Sequence, residues 1–259
     1  MKIGIIGAGN MGGAIARGLT QGTLIAPKDI TVADLAQDKL NELKAFNPDI
    51  QVTTNNQSAI TDADLILIAV KPWLVKEVIT NLQIDLKKQI VVSVAAGIPF
   101  SEYISWLGES AILFRLVPNT AISELESMTL IASHNATKEQ EKLIISLFDE
   151  MGLAMLIPEK QIPATTALTS CGIAYVLKYI QAGMQAGVEM GIYPKDAMKM
   201  VAQSVKGAAE LILNNDTHPS VEIDKVTTPG GITIKGINEL DHAGFTSAII
   251  RAMKRSSEF

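Results

Sequence analysis

The sequence predicts a two-part α/β protein, with an N-terminal doubly wound sheet followed by an all-helical C-terminal domain. Three observations predict it. Short, continuously apolar runs alternate with amphipathic stretches as far as residue 156, a glycine-rich turn follows the first of those runs, and strand signals stop after Leu156, where long helical patterns take over. In order, the candidate strands are Lys2–Ile6, Ile30–Asp34, Ile50–Thr53, Leu65–Ala69, Ile90–Ala95, Ile112–Leu116, Met128–Ala132 and Ala154–Leu156. Helical patterns lie between several of them, among them Met11–Leu19, Gln37–Phe46, Val75–Leu82 and Glu139–Met151. Strands that are apolar on both faces and separated by helices read as a parallel sheet covered on both sides. Pro158 and Pro163 punctuate the change of character, so domains of residues 1–157 and 158–259 are expected.

The second part holds helical stretches at Ala164–Ile192, Pro194–Asn214, Ser220–Val226, Ile232–Leu240 and Gly244–Ser256. Lys178, Gln181, Gln185 and Glu189 interrupt the first of these, and the longest apolar runs, Leu65–Val70 and Ile90–Val94, fall far short of the ~18 residues of a membrane span. Ala164–Ile192 therefore reads as a buried helix of a soluble protein, with no membrane partner. Its small residues (Gly172, Ala174, Ala182, Gly183, Ala186, Gly187) form a stripe. Each interior glycine costs about 1 kcal/mol relative to alanine, so the stripe needs a packing reason, such as the close approach of another helix. The segment is also longer and more apolar than a domain of this size needs for its own core. A second copy is the expected cover, making the protein a homodimer or a higher homo-oligomer.

Composition narrows the function. A chain of 259 residues with 47% hydrophobic side chains buries roughly 70–75% of its unfolded surface and needs neither disulfide nor metal to hold it. The single cysteine, Cys171, and three scattered histidines (His134, His218, His242) have no metal-ligand spacing, so no metal is expected. A net charge of -5, no basic block and 5% aromatics exclude a nucleic-acid binder. The opening MKIGIIG runs directly into a strand pattern without the order of an export signal. A reduced, cytoplasmic protein is expected.

The motif Gly7-Ala8-Gly9-Asn10-Met11-Gly12 is a G-x-G-x-x-G directly after a strand and opening a helix. In that context Gly7 makes the tight turn, Gly9 lets backbone approach a pyrophosphate, Gly12 lets helix and strand pack closely, and the helix N-terminus offers free N–H groups. This is the signature of a Rossmann-type dinucleotide site; a strand-to-helix turn without a ligand is the plain alternative. Asp34 ends the second strand near the ~20-residue offset at which a carboxylate reaches the adenosine ribose. It would accept from the ribose hydroxyls and repel a 2′-phosphate, which favours NAD(H) over NADP(H), and it is otherwise a solvated strand-end aspartate. Ala69-Val70-Lys71-Pro72 ends the fourth strand at the carboxyl edge where ligands lie, with Pro72 set to start a helix. An ordinary joint with an exposed lysine fits its spacing equally. Val117-Pro118-Asn119-Thr120 follows a strand at the same edge; Asn119 there either bonds nicotinamide or substrate or closes an Asx-turn. In the C-terminal part, Thr227-Thr228-Pro229-Gly230-Gly231-Ile232-Thr233 precedes an apolar helix. Consecutive glycines at a helix start expose backbone N–H groups to a carboxylate or phosphate, although a simple helix–helix turn has the same composition.

These blocks together resemble the pyrroline-5-carboxylate reductases from end to end. The likeness is carried by Gly7–Gly12, Ala69–Pro72, Pro118–Thr120, Gly172 with Ala174-Tyr175, and Thr228–Thr233 with Gly244-Phe245 after it. The resemblance implies an N-terminal domain that binds NADPH or NADH, and an all-helical C-terminal dimerisation domain that intertwines with a second copy. It implies 1-pyrroline-5-carboxylate held between the two under the Pro-Gly-Gly loop and reduced to L-proline, the last step of proline biosynthesis. It places Asn56 and the Ala69–Pro72 run at the cofactor, the Gly230, Gly231 and Ile232 N–H groups at the substrate carboxylate, and Thr233 beside the ring nitrogen as the catalytic residue. The chain departs from the pattern at Ser170, Cys171 and Ile173, where glycine, serine and proline are usual, at Ala121, where proline is usual, at Ile232, often threonine or alanine, and at Leu35, often arginine in NADPH-preferring relatives. Two other classes stay in view: a non-catalytic paralogue of the same fold, and another imine or β-hydroxyacid oxidoreductase. The β-hydroxyacid plan expects a lysine followed by an asparagine on the interdomain helix, whereas Lys178 is followed by Tyr179-Ile180-Gln181-Ala182.

Overall fold

The computed structural model describes residues 1–258, which fall into two compact units, Met1–Ser170 and Cys171–Glu258. The first is built on eight strands: β1 (Ile3–Ile6), β2 (Ile30–Ala33), β3 (Gln51–Thr53), β4 (Leu65–Ile68), β5 (Ile90–Ser93), β6 (Leu113–Val117), β7 (Ser127–His134) and β8 (Gly152–Leu156). They lie in the order β3-β2-β1-β4-β5-β6-β7-β8. Seven helices accompany them: α1 (Asn10–Gln21), α2 (Gln37–Phe46), α3 (Asn56–Ile60), α4 (Pro72–Thr80), α5 (Phe100–Leu107), α6 (Lys138–Asp149) and α7 (Ile162–Thr166).

Alternation along β1 shows why both faces are covered. Ile5 lies in the core cluster that also takes in Ile15 and Leu19 of α1, Leu40 and Leu43 of α2 and Ile144 and Phe148 of α6. Ile6, on the opposite face, lies in a second cluster with Ile60 of α3, Val75 and Ile79 of α4 and Tyr103 of α5. A strand buried on both sides must be apolar or have its polar groups bonded, which is why β1 and β4 read as unbroken runs and the buried Ser93 of β5 accepts from the Tyr103 hydroxyl at 2.7 Å.

The sheet is parallel except where β7 runs antiparallel to β6, whereas the sequence pattern suggests a fully parallel sheet. Residues 118–126 between them hold only one 3-10 turn, and a parallel return needs a crossover of a dozen or more residues. β8 is again parallel to β7, because α6 supplies the crossover.

After α7 the chain passes through a π-turn at Ala167–Cys171 into the second unit: α8 (Gly172–Glu189), α9 (Pro194–Asn215), α10 (Pro219–Val226), α11 (Ile232–His242) and α12 (Phe245–Ser256). The stretch expected as one helix from Ala164 to Ile192 is thus broken. A 3.6-residue period cannot reveal this, since a π-turn shifts the phase for one turn only. Asn119 marks the break, its Nδ2 donating to the Thr169 carbonyl at 3.3 Å.

The expectation that Ala164–Ile192 is buried also needs correction. Of α8 only Gly172 and Gly187 are buried, and α10, α11 and α12 have no buried residue. Val176, Leu177 and Tyr179 of α8 and Met198, Leu211 and Leu213 of α9 are exposed. The glycine stripe has a local use all the same: a Cβ on Gly187 would stand 2.7 Å from the Ala197 Cβ, and one on Gly183 2.9 Å from Val201. No helix among the described residues is long and apolar enough to cross a membrane.

Candidate functional site

A cleft of about 990 Å³ opens at the carboxyl ends of the parallel strands, where the strand order turns from β1 toward β2 on one side and β4 on the other. Ligands of open α/β sheets bind at this switch point. Gly7, Gly9, Asn10, Met11, Asp34, Asn56, Ala69, Val70, Lys71 and Pro72 all line it.

Each loop is fixed by the strand before it. The Gly7 N–H donates to Ala33 O and the Ala69 N–H to Ile6 O, both at 2.8 Å. Gly7 sits at φ +103°, with its Cα 's missing side chain facing the Ala69 carbonyl, where a Cβ would stand 2.8 Å away. No other residue fits that turn. At Gly9 a Cβ would meet nothing within 4 Å, so the space above it belongs to the cleft, as a pyrophosphate needs. α1 begins at the next residue with neither an acidic first turn nor a side-chain cap, so its first N–H groups remain available to an anion.

Ala8 and Gly12 do not line the cleft. Ala8 is buried and its N–H donates to Asp34 Oδ2 at 2.6 Å. A Cβ on Gly12 would lie 1.9 Å from Gly7 O and 2.9 Å from the Ala69 Cβ, so Gly12 lets α1 settle on β1. Asp34 is held from both sides, its Oδ1 accepting from the Ala36 N–H at 2.8 Å. Lys71, exposed, precedes α4, and Pro72 opens that helix.

Thr54, Asn55, Gln57, Glu77, Asn81 and the Val94–Ala96 run also line the cleft and were not singled out by the motifs. Two signals could have found them. Thr54-Asn55 is a turn pair before a helix, and Asn55 Oδ1 caps α3 through the Ser58 N–H at 2.9 Å. Val94–Ala96 continues β5, so it reaches the same edge once the strand order is known.

Asn119 is 8% exposed and already engaged. Besides its bond to Thr169, its Oδ1 accepts from the Ala121 N–H at 3.0 Å, closing an Asx-turn, which leaves one amide hydrogen for another partner.

In the second unit, Gly230 has φ +71° and the Gly231 N–H donates to Thr228 O at 3.0 Å. Proline followed by a positive-φ glycine is the type II turn pattern. The Gly231 N–H is therefore consumed inside the turn. Gly231 caps α11 without a side-chain bond, so the donors with no helical acceptor are those of Ile232, Thr233 and Ile234. Ile232 and Thr233 are exposed.

No cluster of histidine, cysteine and carboxylate side chains suited to a metal occurs among the described residues. The fold and the glycine-lined cleft together define a dinucleotide-binding protein of the doubly wound class.

Comparison with known proteins narrows this. Residues 159–258 match the family model for pyrroline-5-carboxylate reductase dimerisation, and residues 2–97 match that of the NADP oxidoreductases, coenzyme F420-dependent. The chain is 36% identical to the pyrroline-5-carboxylate reductase of Methanosarcina acetivorans, over 99% of its own length and 97% of that protein's. It is 34% identical to pyrroline-5-carboxylate reductase 1 of Dictyostelium discoideum, spanning 99% of its own length but only about half, 48%, of that longer protein. A crystal structure of a Plasmodium falciparum pyrroline carboxylate reductase with NADP bound superposes with a TM-score of 0.88 at 25% identity, covering 100% of this chain and 96% of that one. The chain belongs to the pyrroline-5-carboxylate reductase family.

Proposed function

We propose that this protein reduces 1-pyrroline-5-carboxylate to L-proline, with NADPH or NADH as reductant. The observation that carries the reading is the pairing, in one chain of this family, of a glycine-lined dinucleotide cleft with an exposed helix start that offers both free N–H groups and a hydroxyl. The bound dinucleotide supplies a hydride. Gly7, Gly9, Asn10 and Met11 hold its pyrophosphate, with Ala8 and Gly12 shaping the loop from beneath; Asp34 takes the ribose; Asn56, Ala69, Val70, Lys71 and Pro72 line the remainder.

A protonated cyclic imine is already electrophilic, so the protein's work is to orient the substrate and exclude water. The Ile232 N–H and its neighbours at the start of α11 receive the carboxylate, with Gly230 and Gly231 shaping the turn that presents them. The Thr233 hydroxyl lies beside the ring nitrogen, where it donates or relays a proton. Asn119 contributes its remaining amide hydrogen to the substrate side.

The active protein is a cytoplasmic homodimer, or a higher oligomer of dimers, with a division of labour near residue 157. Support for the dimer comes from the open apolar faces of α8 and α9 and a groove of about 480 Å³ along them, lined by Leu177, Ile180, Met184 and Met198 among others. Support for a reducing compartment comes from the lone Cys171.

Steady-state kinetics test the reading. Thr233→Ala and Thr233→Val should each lose about 10²-fold in turnover, as loss of one positioned hydrogen bond in the transition state does. Wild-type turnover in both folded variants removes Thr233 from the chemistry. No oxidation of NADH or NADPH by the wild type in the presence of pyrroline-5-carboxylate removes the function.

A further inference from the structure

The two oxygens of Asp34 are each tied to backbone, Oδ2 by the Ala8 N–H at 2.6 Å and Oδ1 by the Ala36 N–H at 2.8 Å. A strand-end carboxylate with one tether can swing aside for an anion; one held from both sides cannot. A carboxylate has about four lone-pair sites, so each oxygen still has one to accept a ribose hydroxyl. A 2′-phosphate in the same place would bring a charge of roughly -1.5 to -2 against a fixed negative group.

The residues that line that end of the cleft supply no cation beside Asp34. The lining contains one cation, Lys71, which follows β4, while β1 separates β4 from β2. Two strand spacings put its backbone roughly 10 Å from that of Asp34, so Lys71 stands over a different part of the cleft. Leu35, 86% exposed, lines the cleft beside Asp34 and has no donor to offer. Lys39, the next basic residue along the chain, and Arg17 of α1 do not line the cleft, and Lys39 is paired with Glu42 at 2.8 Å. Gln57 is tied at both ends of its amide to the Gln83 backbone. Asn55 and Asn56 provide only neutral donors.

We propose that this protein selects NADH over NADPH, and that the doubly tethered carboxylate of Asp34, flanked by Leu35 rather than a cation, makes the selection. This rests on reading the cleft as a dinucleotide site and names which dinucleotide it takes. Asp34 acts in two ways at once: it reads the ribose, and through Ala8 it holds the glycine loop under the pyrophosphate.

Direct binding tests it without turnover. The full chain is titrated with NADH and with NADPH, in the absence of substrate, following the fluorescence of the reduced nicotinamide. The wild type is expected to bind NADH at least about tenfold more tightly, a low bound for a charge pair a few ångströms apart. Asp34→Asn, which removes the charge and keeps an oxygen acceptor, is expected to narrow the gap to below about threefold by tightening NADPH. Because Asp34 also supports the loop, a second variant leaves Asp34 and its tethers in place and adds a cation beside it. Leu35→Arg is expected to tighten NADPH about tenfold relative to NADH. Equal wild-type affinities, tighter NADPH, or an unchanged ratio of the two affinities in Leu35→Arg overturns the selection while leaving the cleft a dinucleotide site. Failure of either nucleotide to bind overturns the site itself.

Discussion

Two glycines three residues apart, Gly9 capping α1 and Gly12 inside it, should fail in opposite ways when a side chain is added. At Gly12 an added Cβ would stand 1.9 Å from Gly7 O and 2.9 Å from the Ala69 Cβ. Relief requires a backbone carbonyl to move by more than 1 Å, in a loop whose Gly7 N–H is fixed to Ala33 O at 2.8 Å. Overpacking of this kind costs about 1–3 kcal/mol, and a rigid backbone neighbour places Gly12→Ala near the upper figure. For a protein of this size that is a fall in Tm of roughly 6–12 °C. At Gly9 the same atom meets nothing within 4 Å, and the backbone, at φ −65°, suits any residue. Gly9→Ala should even gain about 0.4–1 kcal/mol by restricting the unfolded chain. Gly9→Val should fold equally well and lose the dinucleotide, because its methyls fill the space above the loop. Thermal unfolding by circular dichroism and calorimetric titration with NADH and NADPH read the two effects separately. Wild-type nucleotide affinity in folded Gly9→Val, or wild-type Tm in Gly12→Ala, would refute the reasoning about the loop.

Other outcomes follow from single contacts. Asn119→Ala removes the bonds to Ala121 and Thr169 from a buried side chain and should cost about 1–3 kcal/mol in denaturant titrations. Leu177→Arg places charge on the open face of α8 and should shift the oligomer toward a 27.7 kDa monomer in light scattering; an unchanged mass would place the interface elsewhere. Glu141 is held below the usual carboxylate range by its bonds to the Lys138 ammonium and the Ser133 hydroxyl. A depressed folded value means stability that is present above the ordinary pKa of 4.5 and lost as pH falls through the folded value. Glu141→Gln should therefore melt below the wild type at pH 7 and converge with it in acid; a gap that persists at low pH would deny the linkage.

The sheet was legible because burial on both faces leaves a mark at every position: IGII in β1 and LILI in β4 admit no polar residue. The direction of β7 was not, since it depends on the length of the connection rather than on the strand. Helices α3 and α5 are short, and one or two turns give little periodicity to read. In the cleft, the glycines and Asp34 carry a spacing that sequence preserves. The second task of Asp34 does not show in the sequence, because Ala8 lies 26 positions away and becomes its neighbour only when β1 and β2 pair. Asn55 and Val94–Ala96 were hidden for the same reason, since strand order, not spacing along the chain, brings them to the edge.

The two units also differ in what sequence can say about them. In the sheet unit the central strands find their cover within the chain, and hydrophobic pattern and burial agree there; the edge strand β8 is the exception, with Leu153, Met155 and Leu156 exposed. In the helical unit they disagree: α8 and the apolar stripe of α9 are largely open, although Gly183 and Gly187 bring the two helices close at Val201 and Ala197. A hydrophobic pattern records how much surface must be covered and is silent about which chain covers it. Where the pattern demands more burial than the chain achieves, the difference is surface left for another molecule. The match of residues 159–258 to a dimerisation family makes a second copy the natural cover. Dilution that separates the copies should then destabilise α8 and α9 themselves, while the sheet unit, whose core is complete, keeps its fold.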